Sequence, residues 1–263
     1  MHRLIKRAIN SFEYRTGIKL PGRTPATNPF DESGRLIVGD NDAEVQREFF
    51  RYFTDLCGLK PEESVLDAGC GTGRLARPLA DYLTGEYRGF DIVKSAVKEC
   101  RREIGAHHPN FRFTHADIFN SSYNPKGKIR ASRFRFPYPD ASFDFIFLTS
   151  VFTHLLTEDT ANYLHEVARV MKPTGRALVT FFLIDERARE LIAAGKSHYR
   201  FGTVLPGCRV DSAAHPEDAV AYDERDALNM IAEAGLAVRE LRFGQWRGAE
   251  GLSWQDILVV TRS

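Results

Sequence analysis

No apolar run in this 263-residue chain exceeds four residues, Ile257 to Val260 being one of the longest, whereas a membrane-spanning helix needs roughly 18 to 20. An excess of charge is missing too, since 36 lysines and arginines meet 35 aspartates and glutamates for a formal charge of +1. That balance gives no global basic field, so nucleic acid is not an expected partner and any partner must be read locally. Cysteine is scarce. Cys57, Cys70, Cys100 and Cys208 stand far apart without a C-x-x-C pair, which suits reduced core thiols and offers no zinc site. Repeats and low-complexity tracts are also absent. Met1 to Asn10 interleaves its basic residues with apolar ones and lacks the continuous apolar stretch of a secretory signal. The expected location is the cytoplasm.

What is present is a globular composition, 43% apolar and 27% charged, which excludes disorder. Between about 60 and 184, short β-rich runs alternate with helical periodicity, the mark of an α/β chain with a mostly parallel sheet. Ser64 to Asp67 reads as a first strand, followed by a glycine-rich turn and a helix with Leu75, Leu79 and Leu83 on one side. Pro78 within that helix predicts a late start or a kink. Glu86 to Asp91, Phe111 to Ala116, Phe143 to Thr149 and Arg176 to Leu183 read as further strands. Val97, Cys100 and Ile104 mark a helix face between two of them. A helix from about Glu158 to Met171 places Ala161, Leu164, Ala168 and Met171 together, and Pro173 to Gly175 then turns the chain.

Residues 185 to 222 show no clear periodicity. A helix at about 224 to 234 ends at Gly235, and β-like runs follow at 237 to 243 and 256 to 262. Upstream, Asn41 with Glu44 is a capping-box signal, and Val45, Phe49, Tyr52, Phe53 and Leu56 form a helical face that should dock on the domain. Residues 3 to 12 make a short basic amphipathic segment, expected to pack on its own domain or on a second subunit rather than on a membrane.

The most informative stretch is Val65-Leu66-Asp67-Ala68-Gly69-Cys70-Gly71-Thr72-Gly73, an acid at a strand end followed by alternating glycines that lead into a helix. Glycine lets a ligand approach the backbone, and the helix start supplies unpaired amides. A nucleotide-like cofactor follows. Gly71 to Ala76 also fits the dinucleotide pattern G-x-G-x-x-G/A, with Asp91 further on as a ribose acid. Charge decides between the two. Asp67 would repel a pyrophosphate, whereas S-adenosylmethionine (SAM) brings a sulfonium and an ammonium that a carboxylate favours.

These residues resemble the class I SAM-dependent methyltransferases, in particular bacterial O-methyltransferases of sugars and small molecules. Asp67 to Gly73 is similar to their first motif, Asp91 to their ribose acid, and Ala116-Asp117-Ile118 to their adenine-binding segment. Phe143 to His154 resembles their fourth strand with the turn after it, and Leu164 to Gly175 the helix and turn before strand five. The resemblance implies a Rossmann-like, doubly wound, mostly parallel seven-stranded sheet with a C-terminal antiparallel strand. Residues 41–263 are expected to be the methyltransferase domain, with a lid insertion at about 185–222, and 1–40 an N-terminal arm whose amphipathic segment is a candidate contact for homo-oligomers. The resemblance also implies that Asp67, Gly69, Gly71 and Gly73 hold the methionine part of SAM. Asp91 and the adjoining Ile92 would hold the ribose, Asp117 and Ile118 the adenine, and Ser150 and Val151 would close the pocket.

SAM already carries an activated leaving group, so in-line transfer mainly needs the acceptor held on the methyl axis. A hydroxyl acceptor must also lose a proton, and His154, just past the fourth strand, is the candidate base; the competing role is support of the cofactor turn. Glu158 and Asp159 read as first-turn helix carboxylates. No ligand set for a divalent ion is legible, although the acceptor side has room for one.

Acceptor choice should lie in two regions. The long connection Asn120 to Pro139 holds Lys126, Lys128, Arg130, Arg133 and Arg135 beside Tyr123, Phe134, Phe136 and Tyr138; it would grip an anion or a nucleic-acid strand, or be a solvated loop with its aromatics anchored in the core. Residues 185–222 should fold over the acceptor side as a lid, offering His198, Tyr199, Arg200, His215 and Tyr222. The Gly244 to Ser253 connection should expose Gln245, Trp246 and Arg247 over the cleft, with the Trp246 indole stacking on a sugar, while Trp254 belongs in the core. The leading expectation is methyl transfer to a hydroxyl of a sugar, glycan or similar polar small molecule, Tyr123, Arg130, Tyr199, Arg200 and Trp246 contacting it. The alternatives are an RNA-directed methyltransferase using the 126–135 loop, a nicotinamide-dependent oxidoreductase, and a silent SAM-binding module.

Overall fold

The computed structural model describes residues 42–263; the arm at 1–40, its amphipathic segment and the Asn41 cap lie outside the described residues. Five strands rich in apolar and aromatic residues, β1 (Val65–Ala68), β2 (Tyr87–Asp91), β3 (Phe111–His115), β4 (Phe143–Leu148) and β5 (Met171–Phe181), pair in parallel in the order β3-β2-β1-β4-β5. Beyond β5 lies the last strand of the chain, which runs antiparallel both to β5 and to the edge strand outside it. The seven-stranded, mostly parallel sheet therefore matches the expectation, its one antiparallel strand included. Strand β1 is buried at every position, as a central parallel strand covered on both faces must be.

Helix α1 (Asp42–Arg51) runs on through a wider turn at Tyr52–Leu56, and it docks as its pattern predicts. Phe53 is 1% exposed and packs on Phe145 and Phe147, with ring centroids 5.3 and 4.6 Å away. After β1, helix α2 (Ala76–Ala80) starts late, which puts Pro78 in its first turn, where its missing N–H has no intrahelical partner to lose. Helix α3 (Lys94–Cys100) buries Val97 and Cys100, and α4 (Thr157–Val170) buries Thr160, Tyr163, Leu164, Val167 and Ala168. Ala161, placed on that face by spacing, is only half-buried. The expected turn at Pro173–Gly175 is taken up within β5 as a register shift opposite Phe143 and Phe145.

The segment without sequence periodicity folds all the same. Strand β6 (Leu183–Ile184), helix α5 (Glu186–Ala193), and strands β7 (Thr203–Leu205), β8 (Cys208–Val210) and β9 (Val220–Asp223) follow β5, and the strands form a second sheet in the order β6-β9-β8-β7. Strands of two to four residues are too short to show alternation. Helix α6 (Glu224–Glu233) then ends before Gly235, whose φ of +76° is the left-handed stop that the sequence predicts. Strands β10 (Leu236–Arg242) and β11 (Asp256–Arg262) complete the large sheet.

Three placements overturn expectations. Trp246 does not lie exposed over the cleft: it is fully buried, packs on Phe182 and Phe201, and donates its indole N–H to Asp256 at 2.9 Å. Arg247 is buried beside it, 3.1 Å from Asp185. A buried carboxylate needs donors, and Asp256, with 0% exposure, takes them from Trp246, Leu183, Gly244 and Arg247. Trp254, expected in the core, is partly buried and packs against the cluster that holds Trp246, Phe182 and Phe201. Tyr222 is likewise no lid ligand, because its buried hydroxyl is bonded to Thr160 and to the Leu155 carbonyl.

Among the described residues no helix is long and apolar enough to cross a membrane.

Candidate active site

A cleft of about 450 Å³ opens at the carboxyl ends of β1, β2 and β4, lined in part by Asp67, Gly69, Gly71, Asp91, Ile118 and His154. Ligands of open α/β sheets bind at this edge. The turn after β1 is built from glycines in the left-handed region, Gly69 at φ +95°, Gly71 at +51° and Gly73 at +79°. At Gly69 a Cβ would stand 2.5 Å from Val151 Cγ2, and at Gly73 one would stand 2.7 Å from Ile104 Cδ1. Only glycine keeps the turn this close to its neighbours.

Two acids face the cleft. Asp91 ends β2 and accepts the Gly71 amide on one oxygen and the Val93 amide on the other, each at 2.7 Å. Burial raises its carboxyl above the ordinary range, and the amides oppose that rise. Asp67 is 3% exposed and accepts the Tyr87 hydroxyl. Burial, with the Asp91 charge adding to it, pushes its carboxyl up to about 8 against the pull of that bond. A positively charged ligand group beside it would favour the ionised carboxyl. The buried Thr149 hydroxyl in the cleft wall finds no hydrogen-bond partner among the described residues. The buried Asp67 carboxyl, the orphaned Thr149 hydroxyl and the tight glycine turn fit SAM.

The turn after β4 carries the strain. Ser150 has φ +57°, a conformation that costs a non-glycine residue free energy and persists only when its surroundings enforce it. Here the Ser150 amide donates to Thr180 Oγ1 at 2.8 Å and its hydroxyl to Gln255 Oε1 at 3.1 Å. Val151, Phe152, Thr153 and His154 follow, bringing the imidazole to the cleft.

His154 Nδ1 lies 2.9 Å from the Glu217 carbonyl oxygen. A carbonyl only accepts, so Nδ1 carries the hydrogen and the lone pair is left on Nε2. Burial lowers the imidazole pKa below its ordinary value, while the Glu217 bond and Asp218 oppose it, so the ring is neutral at neutral pH. Tyr123 meets its edge at 5.3 Å.

Of the expected site residues, Asp67, Gly69, Gly71, Asp91, Ile92, Ile118, Tyr123, Ser150, Val151 and His154 line this cleft. Asp117 lines an adjoining cavity that shares Ile92, Val93 and Tyr123 with it. Gly73 shapes the turn from behind.

Arg130, Tyr199, Arg200 and Trp246 do not line it. Arg130 and Arg200 are exposed, and Tyr199 packs on Phe182 and Phe201. The long connection takes its anchored form: Phe136 is buried, Phe134 and Tyr138 pack on the core, and Lys126, Lys128, Arg133 and Arg135 are exposed.

Sequence reasoning missed Thr149, Asn120, Phe119 and Tyr163 in the cleft wall, and Glu217 behind His154. Thr149 directly precedes Ser150 and Phe119 directly follows the Asp117-Ile118 segment, so their position was a usable signal. Glu217 had none, because its contact spans 63 residues. No group of three or more histidine, cysteine or carboxylate side chains placed to hold a metal occurs among the described residues.

Residues 65–175 match the family described as "Methyltransferase domain". The demethylmenaquinone methyltransferase of Deinococcus radiodurans is 30% identical over 190 residues, covering 68% of this chain and 71% of that protein. O-methyltransferase cnsE of Penicillium expansum is 29% identical over 125 residues, 47% of this chain and 39% of that protein. This chain spans less than half the length of several of the curated relatives it matches. The magnesium protoporphyrin IX methyltransferase of Synechocystis, solved with bound S-adenosylhomocysteine (SAH), shares the fold at a TM-score of 0.55 and 18% identity over 100% of both chains. The chain belongs to the class I SAM-dependent methyltransferases.

Proposed function

We propose that this enzyme transfers the methyl group to a hydroxyl oxygen of a small polar molecule, a sugar or glycan unit being the acceptor class, with His154 as the general base. The observation that carries the reading is the 2.9 Å bond from His154 Nδ1 to the Glu217 carbonyl, which leaves a basic Nε2 on a ring that lines the cleft. An amine or carbon acceptor makes other demands on proton removal, and this pre-set neutral imidazole suits an alcohol.

SAM, when bound, supplies a methyl carbon on a sulfonium leaving group. The chain's own residues do the rest. Asp67 faces the cationic end, and Asp91 the ribose hydroxyls through lone pairs not used by Gly71 and Val93. Ile118 frames the adenine, with Asp117 at the rim of the next cavity. His154 would take the acceptor proton, and SAM held by Asp67, Asp91 and Ile118 would supply the methyl group with a neutral thioether as its leaving group.

With Trp246 in the core, Tyr123 and Phe119, the latter 42% exposed in the cleft wall, are the ring faces available to a sugar. Calorimetry with SAH followed by a methyl-transfer screen of sugars, oligosaccharides, phenols, amines and small RNAs tests the reading. Transfer to saccharide hydroxyls is expected; exclusive transfer to nitrogen, carbon or RNA overturns it.

A further inference from the structure

The turn Pro216–Asp218 belongs to the segment between β8 and β9, and it bonds the residues behind the cleft wall at three points. The Glu217 main-chain oxygen takes the His154 Nδ1 hydrogen at 2.9 Å. The Glu217 carboxylate accepts the Ser121 amide at 2.6 Å. The neighbouring Asp218 carboxylate accepts the Ser122 hydroxyl. From the other side Asn120, itself buried, accepts the Ser122 and Tyr123 amides at 3.0 and 2.9 Å and donates to the His154 main-chain oxygen at 3.3 Å. Residues 120–123, His154 and 216–218 form one circuit of hydrogen bonds around the imidazole.

Glu217 is only 8% exposed, and burying a carboxylate costs free energy that a surface turn has no need to spend. Its return here is placement. The side chain is tied to Ser121, so the main-chain carbonyl of the same residue is fixed opposite Nδ1. An imidazole in water favours the Nε2–H form, and a fixed acceptor at Nδ1 reverses that preference.

We propose that Glu217 is a positioning residue: its carboxylate, anchored on the Ser121 amide, holds the main-chain carbonyl that keeps His154 in the Nδ1–H tautomer with the Nε2 lone pair free for the acceptor proton. This rests on the reading of His154 as the base. It gives the 185–222 segment, expected as a lid but contributing no residue to the cleft lining, a task behind the base, which is correctly protonated only when the 216–218 turn is seated. When Nε2 takes the proton, the same carbonyl and the Asp218 carboxylate face the imidazolium that results.

The tautomer can be read without knowing the acceptor. Nitrogen-15 imidazole spectra of the full chain with SAH, with the His154 signals assigned by their loss in His154→Ala, should show the Nδ1–H form. In Glu217→Ala the population should move toward Nε2–H. Glu217→Gln still accepts the Ser121 amide through Oε1 and should keep the wild-type pattern. SAH calorimetry on each variant confirms the folded cofactor half.

Once an acceptor is in hand, Glu217→Ala should lower kcat about ten-fold with the SAM KM unchanged, and Glu217→Gln should restore it. Wild-type tautomer signals in Glu217→Ala, or equal displacement in both variants, overturn the proposal. Full turnover by His154→Ala would instead overturn the base assignment, and with it the purpose of the latch, while leaving the tautomer pattern as measured.

Discussion

Asp91 accepts the Gly71 amide at 2.7 Å, so the acid that ends β2 and the middle glycine of the turn after β1 hold each other in place. Removing the carboxylate takes away a ligand group and also leaves a buried amide unpaired. Asp91→Ala should weaken SAH binding several-fold to a hundred-fold, about 1 to 3 kcal/mol, as calorimetry would show; unchanged affinity would remove Asp91 from the pocket.

Gly69→Ala tests the turn itself. The substitution meets a φ of +95° and Val151 Cγ2 at 2.5 Å, so a loss of stability of about 1 to 3 kcal/mol is expected together with weaker SAH binding. Adding Val151→Ala should relieve the clash but not the backbone strain. Thermal unfolding of the single and double variants separates the two contributions.

His154→Ala should leave SAH affinity nearly intact and cut turnover about a hundred-fold or more. The base works unprotonated, and burial lowers its pKa from 6.5, so activity should persist through neutral pH and fall only as pH drops below the ordinary histidine range. An acid limb of the kcat/KM profile at or above 6.5 would contradict this placement.

Asp67 ties cofactor binding to protons. Its carboxyl, pushed up to about 8 from 3.8, is largely protonated at pH 7 in the free protein, and a cationic ligand favours the ionised form. Binding of SAM at pH 7 should therefore release a proton, seen as a dependence of the calorimetric heat on the buffer's ionisation enthalpy, and Asp67→Asn should abolish it. The sign for folding follows from the raised value: the folded state holds this proton more tightly than the unfolded chain, so the stability it contributes is full below about 3.8 and lost as pH rises through about 8.

Trp246→Ala should act on stability alone. Truncating a fully buried indole that packs on Phe182 and Phe201 and bonds Asp256 should cost about 3 to 5 kcal/mol, with SAH affinity within about two-fold in the folded fraction. Specific loss of acceptor binding at unchanged thermal stability would return Trp246 to the acceptor side.

The cofactor half was legible in the sequence because its signals are local. Asp67, the three glycines and Asp91 are fixed by strand ends and tight turns, where a few adjacent residues determine the backbone. The acceptor half was not, because its determinants are pairings across long separations. Trp246 faces inward on account of Asp256 and Phe182, and Glu217 reaches His154 from a turn flanked by strands too short to show a period. A connection that pairs Trp246 with Arg247 reads as an exposed rim until the carboxylates that bury the pair are located.

Helix α4 presents Asp159, Asn162, Glu166 and Arg169 at alternating steps of three and four residues, along one edge, and all four bond the main chain of the 120–139 connection. Asp159 accepts the Ser132 amide at 2.6 Å, and Asn162 donates to the Ala131 and Phe134 oxygens at 2.8 and 2.9 Å. Glu166 accepts the Phe136 amide at 2.6 Å, while Arg169 donates to the Phe136 and Tyr138 oxygens at 3.0 and 2.9 Å. The connection is thus shaped by a template outside itself. Grafted onto another scaffold it would lose its shape, and deleted here it would strip four polar side chains of these main-chain partners. Loop and helix edge must be inherited, exchanged or redesigned as a unit.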